Sequence, residues 1–246
     1  MCTLIALWRR VPTYDLVVGM NRDESATRPA DAPAFLGGNP PIVAPRDRKA
    51  GGSWIGVNGE GLVVALSNRR GPPSSGPRSR GLLVLEALGK STPVAVEILL
   101  QQKTEEQSYN PWNLMALNRD DLRFLTYDGA ISMTRGHEGL NVLTNEGANV
   151  VTDSKTVAVQ NLLAKAPTGS IHDTVRTMQS ALRTHGAGSN PALCVHRQGG
   201  GTVSSILIAL NNADPSEDVL LYADGPPCST PFRDYGEAIR RLARAT

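Results

Sequence analysis

Apolar residues either alternate with polar ones or fill short runs along the first third of the chain, and both patterns predict strands. Thr3 to Trp8 is apolar and β-prone, and Leu16 to Asn21 follows after a turn at Pro12. Gly51 to Val57 precedes Gly61 to Ser67 across Asn58-Gly59, a dipeptide that favours a tight hairpin. Apolar residues on both faces of these strands predict a sheet covered on both sides. Ala30 to Lys49 is rich in Pro and Gly with little periodicity, and reads as a long loop bordering a site. Helical spacing then takes over. Ser79 is a candidate N-cap for a helix carrying Leu82, Leu85 and Leu88 on one stripe, and Thr92-Pro93 opens another, with proline where its missing N–H costs nothing. Short strands are predicted at Asn113–Asn118, Leu122–Tyr127, Ala130–Thr134 and Leu140–Leu143. Two helices follow, at Ser154–Ala164 and Ile171–Thr184, the second capped by Ser170 with Asp173 three residues on and stopped at Gly186. The tail predicts strands at Leu193–His196, Val203–Leu210 and Val219–Tyr222, then a helix over Arg233–Arg244. This order of strands and helix pairs implies helices outside packed sheets, and no linker or repeat divides the chain, so one domain over residues 1–246 is expected.

Charge narrows the function classes. A net +2, from 25 basic and 23 acidic side chains spread along the sequence, creates no long-range field for nucleic acid or a membrane surface. No apolar run is long enough for a membrane-spanning helix, and the start lacks the apolar core of a signal peptide. The expectation is a cytoplasmic, soluble protein whose partner is a small-molecule substrate or ligand, without membrane insertion. Cys2, Cys194 and Cys228 cannot all pair, and their spacing matches no zinc pattern. Cys194 reads as a buried core thiol and Cys228 as a passive loop thiol. The four histidines fall in no ligand-like cluster along the chain, so neither a metal nor a cofactor is expected.

Cys2 carries the candidate chemistry. A small residue behind Met1 permits trimming of the methionine, and the exposed cysteine then bears a thiol and a free α-amine on one carbon. An α-amine has a pKa of about 7.7–8.0, so near neutral pH it can take the thiol proton without a histidine. Such a nucleophile needs a group to hold the amine and donors for an oxyanion. In Leu16 to Glu24, period-two alternation sets Asn21 and Asp23 on one face with Arg22 opposite, and pairing with the first strand is expected to bring the Asn21–Asp23 face beside Cys2.

Met1-Cys2-Thr3, Asn21-Arg22-Asp23-Glu24 followed by Arg28-Pro29, Gly51-Gly52-Ser53-Trp54-Ile55-Gly56, Ala65-Leu66-Ser67-Asn68, Ser79-Arg80-Gly81 and Val142-Leu143-Thr144-Asn145 occur in that order over more than half the chain. The set resembles the NRDE family, also called the transport-and-Golgi-organisation family. That resemblance implies an α+β fold of the N-terminal nucleophile (Ntn) hydrolase superfamily, a four-layer αββα sandwich of two antiparallel sheets. The opening is similar to that of cysteine amidases acting on bile-salt conjugates and penicillin V. By position, the resemblance implies Cys2 as nucleophile and base, Asp23 as amine holder, and Asn145 with Asn68 as oxyanion donors. The amidase arginine beside the thiol falls on Met20, with Arg22 two places later. Gly201-Thr202-Val203 stands where relatives tend to carry Gly-Thr-Arg, so a second active-site cation is either missing or supplied elsewhere, with Arg197 as the candidate.

Asn21, Arg28, Trp54 and Arg80 are the candidate substrate contacts: an arginine fork suits a carboxylate, and Trp54 suits a pocket wall. Salt bridging for the arginines, packing for Trp54 and a tight turn at Gly51-Gly52 are the competing readings. Two functions remain. One is an amidohydrolase that cleaves a small linear or cyclic amide through an acyl-enzyme on Cys2. The other is a carrier, with haem as leading ligand because the resemblance implies haem trafficking and a thiolate can ligate iron.

Overall fold

The computed structural model describes residues 2–164, 169–186 and 191–245. In chain order the elements are β1 (Thr3–Val11), β2 (Tyr14–Ser25), β3 (Ala30–Gly38), β4 (Pro41–Asp47), β5 (Ile55–Asn58), β6 (Val63–Asn68), α1 (Arg80–Leu88), α2 (Pro93–Glu106), β7 (Trp112–Leu117), β8 (Leu122–Tyr127), β9 (Ile131–Arg135) and β10 (Gly139–Leu143). They continue with α3 (Ser154–Leu163), α4 (Ile171–Leu182), β11 (His196–Arg197), β12 (Gly200–Asn211), β13 (Val219–Ala223), β14 (Arg233–Asp234) and α5 (Gly236–Ala245). The chain forms two compact units, Met1–Thr27 with His137–Gly236, and Arg28–Gly136 with Glu237–Thr246.

The first unit is an antiparallel sheet in the order β10-β1-β2-β12-β13-β14, with β11 paired to β12. β1 and β2 lie in its interior and are buried on both faces along most of their length, which is why their sequences are apolar on both faces. On one face Ile5, Leu7, Val17, Val142 and Leu207 pack against Val159 and Leu163 of α3 and Met178 and Leu182 of α4. Each such buried side chain contributes about 1.5–3 kcal/mol over an exposed one. Ser170 caps α4 by accepting from the Asp173 N–H at 3.1 Å, and Asp153 caps α3 through the Lys155 and Thr156 N–H groups.

The second unit is an antiparallel sheet in simple sequence order from β3 to β9. Val64, Leu66, Trp112 and Leu114 form one buried cluster with Leu83, Val84 and Leu88 of α1 and Val96 and Leu100 of α2. The buried face of α1 is thus Leu83, Val84, Ala87 and Leu88, and the expected stripe of Leu82, Leu85 and Leu88 is rotated; Leu82 and Leu85 are only half-buried. Ser79 stands at the N-cap without accepting a side-chain hydrogen bond.

Ala30–Lys49 is not a loop: it is the β3–β4 hairpin. The register slips between Asp31 and Ala34 and again between Phe35 and Gly37. Each slip inserts a bulge that breaks the period of two, so no strand pattern is visible in the sequence.

Two of the quoted motifs are halves of one backbone contact. A Cβ on Gly52 would lie 2.3 Å from the Gly81 carbonyl carbon, and the Ser53 N–H donates to the Gly81 carbonyl at 2.9 Å. Gly-Gly-Ser-Trp and Ser-Arg-Gly therefore serve close approach of α1 to the segment before β5.

Candidate functional site

Strand register decides what surrounds Cys2. Thr3 pairs with Asn21 on β2 and Leu4 pairs with Leu143 on β10. Continued past these last pairs, by one step toward β2 and two steps toward β10, the registers set Cys2 between Arg22 on one side and Asn145 on the other. Thr3 accepts from the Lys155 ammonium of α3 at 3.0 Å, and Asn21 donates to the Leu182 and Leu193 carbonyls at 2.9 Å each. Thr3, Asn21 and Asp23 therefore face α3 and α4, and Cys2, Arg22 and Asn145 share the opposite face. This corrects the expectation that the Asn21–Asp23 face would lie beside the thiol. The alternation was read correctly, but Cys2 itself falls on the Arg22 side of β1.

Asp23 meets Cys2 through its main chain and its charge. Its backbone N–H donates toward the sulfur, while its carboxylate lies close enough to disfavour a thiolate. Burial is the largest influence on the Cys2 thiol and pushes it up, the Asp23 charge adds to this, and the Asp23 N–H and Lys155 ammonium oppose it without cancelling it. The Asp23 carboxylate is itself braced. Thr202 donates to Oδ1 at 2.6 Å, and the Lys155 ammonium lies 3.6 Å from Oδ2, with side-chain exposures of 11% and 3% for lysine and aspartate. Thr202 is in turn fixed from behind, accepting from the Val195 N–H at 2.9 Å.

Lys155 was missed in the sequence. A lysine in the first turn of a helix opposes the positive end of the helix dipole, and that misfit was the available clue. Its long side chain is largely buried and reaches back to Thr3 and Asp23.

Arg22 and Asn145 are both buried, at 5% and 6% exposure. Asn21 is fully buried and its amide is committed to two backbone carbonyls. Beside Asp23 opens a recess of about 240 Å³, lined also by Glu24, Ser25, Arg197, Gln198 and glycines 199–201. Arg197, the candidate second cation, thus lines the same recess as Asp23. Met1, whose removal the free-amine reading requires, lies outside the described residues.

The remaining candidates belong to the second unit. Asn68 ends β6 opposite Trp112, and Trp54 is buried just ahead of β5. Arg80 donates to the Pro111 carbonyl at 2.8 Å. Arg28 holds Asp47 through two guanidinium nitrogens, Nε at 2.8 Å and Nη2 at 2.5 Å. Burial pushes the Asp47 carboxyl up, yet Arg28 and the Lys49 and Ala50 N–H groups hold it below its ordinary value.

A second cluster was also invisible in the sequence. His185, Cys194, His196 and Cys228 bring their ligand atoms within 4.8 Å of one another, although no spacing along the chain groups them. Cys194 is buried as expected, but it lines this cluster instead of sitting in an apolar core alone. Among the described residues no helix is long and apolar enough to cross a membrane.

The family model for Transport and Golgi organisation 2 matches residues 1–215. A mouse Transport and Golgi organization 2 homolog is 30% identical over 158 residues, covering 63% of this chain and 53% of the mouse protein. A Bos taurus homolog is 36% identical over 107 residues, 42% of this chain and 38% of its own length. The chain therefore spans about half the length of the mouse relative. Among solved structures, the Caenorhabditis elegans N-acylethanolamine-hydrolyzing acid amidase ortholog superposes with a TM-score of 0.58 at 10% identity, over 85% of this chain and 92% of that one. The C2A mutant of conjugated bile acid hydrolase from Clostridium perfringens gives 0.53 at 11% identity, over 96% and 93%. Both have the Ntn-hydrolase fold, and at these identities it is the fold that is shared.

Proposed function

The chain belongs to the Transport and Golgi organisation 2 family, and from that membership and the Ntn-hydrolase fold we propose that it is an N-terminal cysteine amidohydrolase acting on a small linear or cyclic amide. The observation that carries this reading is the pairing of β1 with β2 and β10, which continued past its last pairs sets Cys2 between Arg22 and Asn145, with braced Asp23 next to Arg22 on β2.

Removal of Met1 leaves the Cys2 α-amine as base. It takes the thiol proton as sulfur attacks the acyl carbon, and the Asn145 amide and Arg22 guanidinium are the donors for the oxyanion. Collapse of the tetrahedral intermediate breaks the C–N bond, the ammonium returns its proton to the leaving nitrogen, and a thioester remains. Water, deprotonated by the same amine, hydrolyses the thioester to a carboxylic acid and restores the thiol. A resting thiol pushed up by burial suits this sequence, because the proton has to be removed at the moment of attack. Asp23 accepts from the amine and orients it. Lys155 offsets the Asp23 charge beside the amine.

The test is intact-mass analysis of untagged protein, followed by incubation with activated N-acyl amides and peptide mapping. The expected result is a chain lacking Met1 that forms an acyl adduct on Cys2, with adduct and turnover lost in Cys2→Ala. A chain that keeps Met1, or that acylates Cys2 no faster than denatured protein, refutes the mechanism. A saturable shift of the haem absorption band that disappears in Cys2→Ala, in protein forming no adduct, would assign the site to ligand carriage instead.

A further inference from the structure

We infer that His185, Cys194, His196 and Cys228 form a structural zinc site on the first unit, separate from the Cys2 chemistry and independent of whether Cys2 is catalytic. The four residues come from three places in the chain. His185 follows α4, Cys194 and His196 flank Val195 at the start of β11, and Cys228 lies in the loop after β13.

Four of the six ligand–ligand edges match one tetrahedral ion, and the other two, from His185 to the sulfurs, lie within 4.8 Å. Zinc bonds of about 2.3 Å to sulfur and about 2.0–2.1 Å to nitrogen require edges of about 3.8 Å between sulfurs, about 3.3 Å between nitrogens and about 3.6 Å for mixed pairs. The two sulfurs are 3.5 Å apart, and the two Nε2 atoms are 3.3 Å apart. His196 Nε2 lies 3.3 Å from Cys228 Sγ and 3.8 Å from Cys194 Sγ. Every one of these edges falls within a few tenths of an ångström of the ideal. Both cysteines are free thiols, and a sulfur separation of 3.5 Å is far beyond the roughly 2.05 Å of a disulfide. Two thiolates and two neutral imidazoles balance a divalent cation, and a mixed sulfur–nitrogen set converging on one point selects zinc among common metals. With four protein ligands the coordination is closed, so the role is structural.

The surrounding backbone is already tied in place for such a site. The Thr184 carbonyl accepts from the Leu193 and Cys194 N–H groups at 3.0 Å each, which joins the end of α4 to the Cys194 segment. Arg183 Nε donates to the Pro227 carbonyl at 3.0 Å, which joins that helix end to the Cys228 loop. The same segment supports β2: Leu193 receives the Asn21 amide, and Val195 donates to the Thr202 hydroxyl that holds Asp23. A metal here would pin the β11–β12 hairpin against β2.

The test is metal analysis of the full chain purified without chelator, then zinc and cobalt titration of protein stripped by chelator. We expect one zinc per chain, tetrahedral cobalt bands with a thiolate charge-transfer band, and loss of about nine-tenths of the bound metal in the Cys194→Ser/Cys228→Ser double variant, while Cys2→Ala keeps its zinc. The wild-type protein supplies a second reading that does not depend on whether that double variant folds. Zinc should slow iodoacetamide labelling of Cys194 and Cys228 by about tenfold or more relative to chelated protein. Protein that takes up neither metal, labelling indifferent to zinc, or a Cys194–Cys228 disulfide in protein isolated without oxidant would overturn the assignment.

Discussion

The Asp23–Lys155 pair lends itself to a quantitative test because both charges are buried. At 3.6 Å and an effective dielectric of about 20, the attraction is about 4–5 kcal/mol. Desolvation of the two ions offsets much of this, so the pair adds little net stability, but removing one member strands the other. Truncating one side of a buried pair costs about 3–5 kcal/mol. Asp23→Asn and Lys155→Met are therefore each expected to lower unfolding free energy by about 3 kcal/mol in urea denaturation, toward the low end because Thr202 still donates to position 23. The double variant should lose much less than the sum, leaving a coupling of about 2–3 kcal/mol. Lys155→Met should also slow alkylation of Cys2 severalfold, because the ammonium is one of the influences favouring the thiolate. Single-variant costs below about 1 kcal/mol that add in the double variant would refute the reasoning, showing that solvent screens the two charges.

Two further outcomes follow from separate parts of the molecule. Burial, reinforced by Asp214 and opposed by the Asn211 N–H, raises the Asp218 carboxyl to about 6; the folded state then binds the extra proton between the ordinary aspartate pKa of about 3.9 and that value, so stability falls as pH rises through it. Asp218→Asn can still accept from the Asn211 N–H, and should flatten that decline and gain about 1 kcal/mol at pH 7.5 after allowing for solvent screening; an unchanged pH profile would count against it. Gly52→Ala places a methyl 2.3 Å from the Gly81 carbonyl carbon, and is expected to cost about 3 kcal/mol in thermal or urea unfolding by forcing α1 away from the β5 segment; a loss under about 1 kcal/mol would show that the contact relaxes.

Local physics made much of the fold legible in the sequence. The apolar runs of β1, β2 and β12, the Thr92-Pro93 start of α2 and the Ser170 cap of α4 each depend on residues within one turn or one strand. The alternation through Asn21, Arg22 and Asp23 is likewise local, so the separation of Arg22 from its neighbours could be read directly. Bulged β3–β4 could not, since two register slips erase the period on which the reading depends. Nor could the face on which Cys2 lies, because this depends on how β1 is paired with β2 and β10, and a shift of one residue reverses it.

Long-range proximity was the other thing only the tertiary structure decided. Lys155 reaches Asp23 across more than a hundred residues of chain, and His185, Cys194, His196 and Cys228 converge because the end of α4, the start of β11 and the loop after β13 are hydrogen-bonded together. A metal motif is recognisable in sequence when one turn supplies two ligands at fixed spacing. Here the ligands come from three segments whose separation the backbone bonds set, and linear spacing carries no trace of that distance.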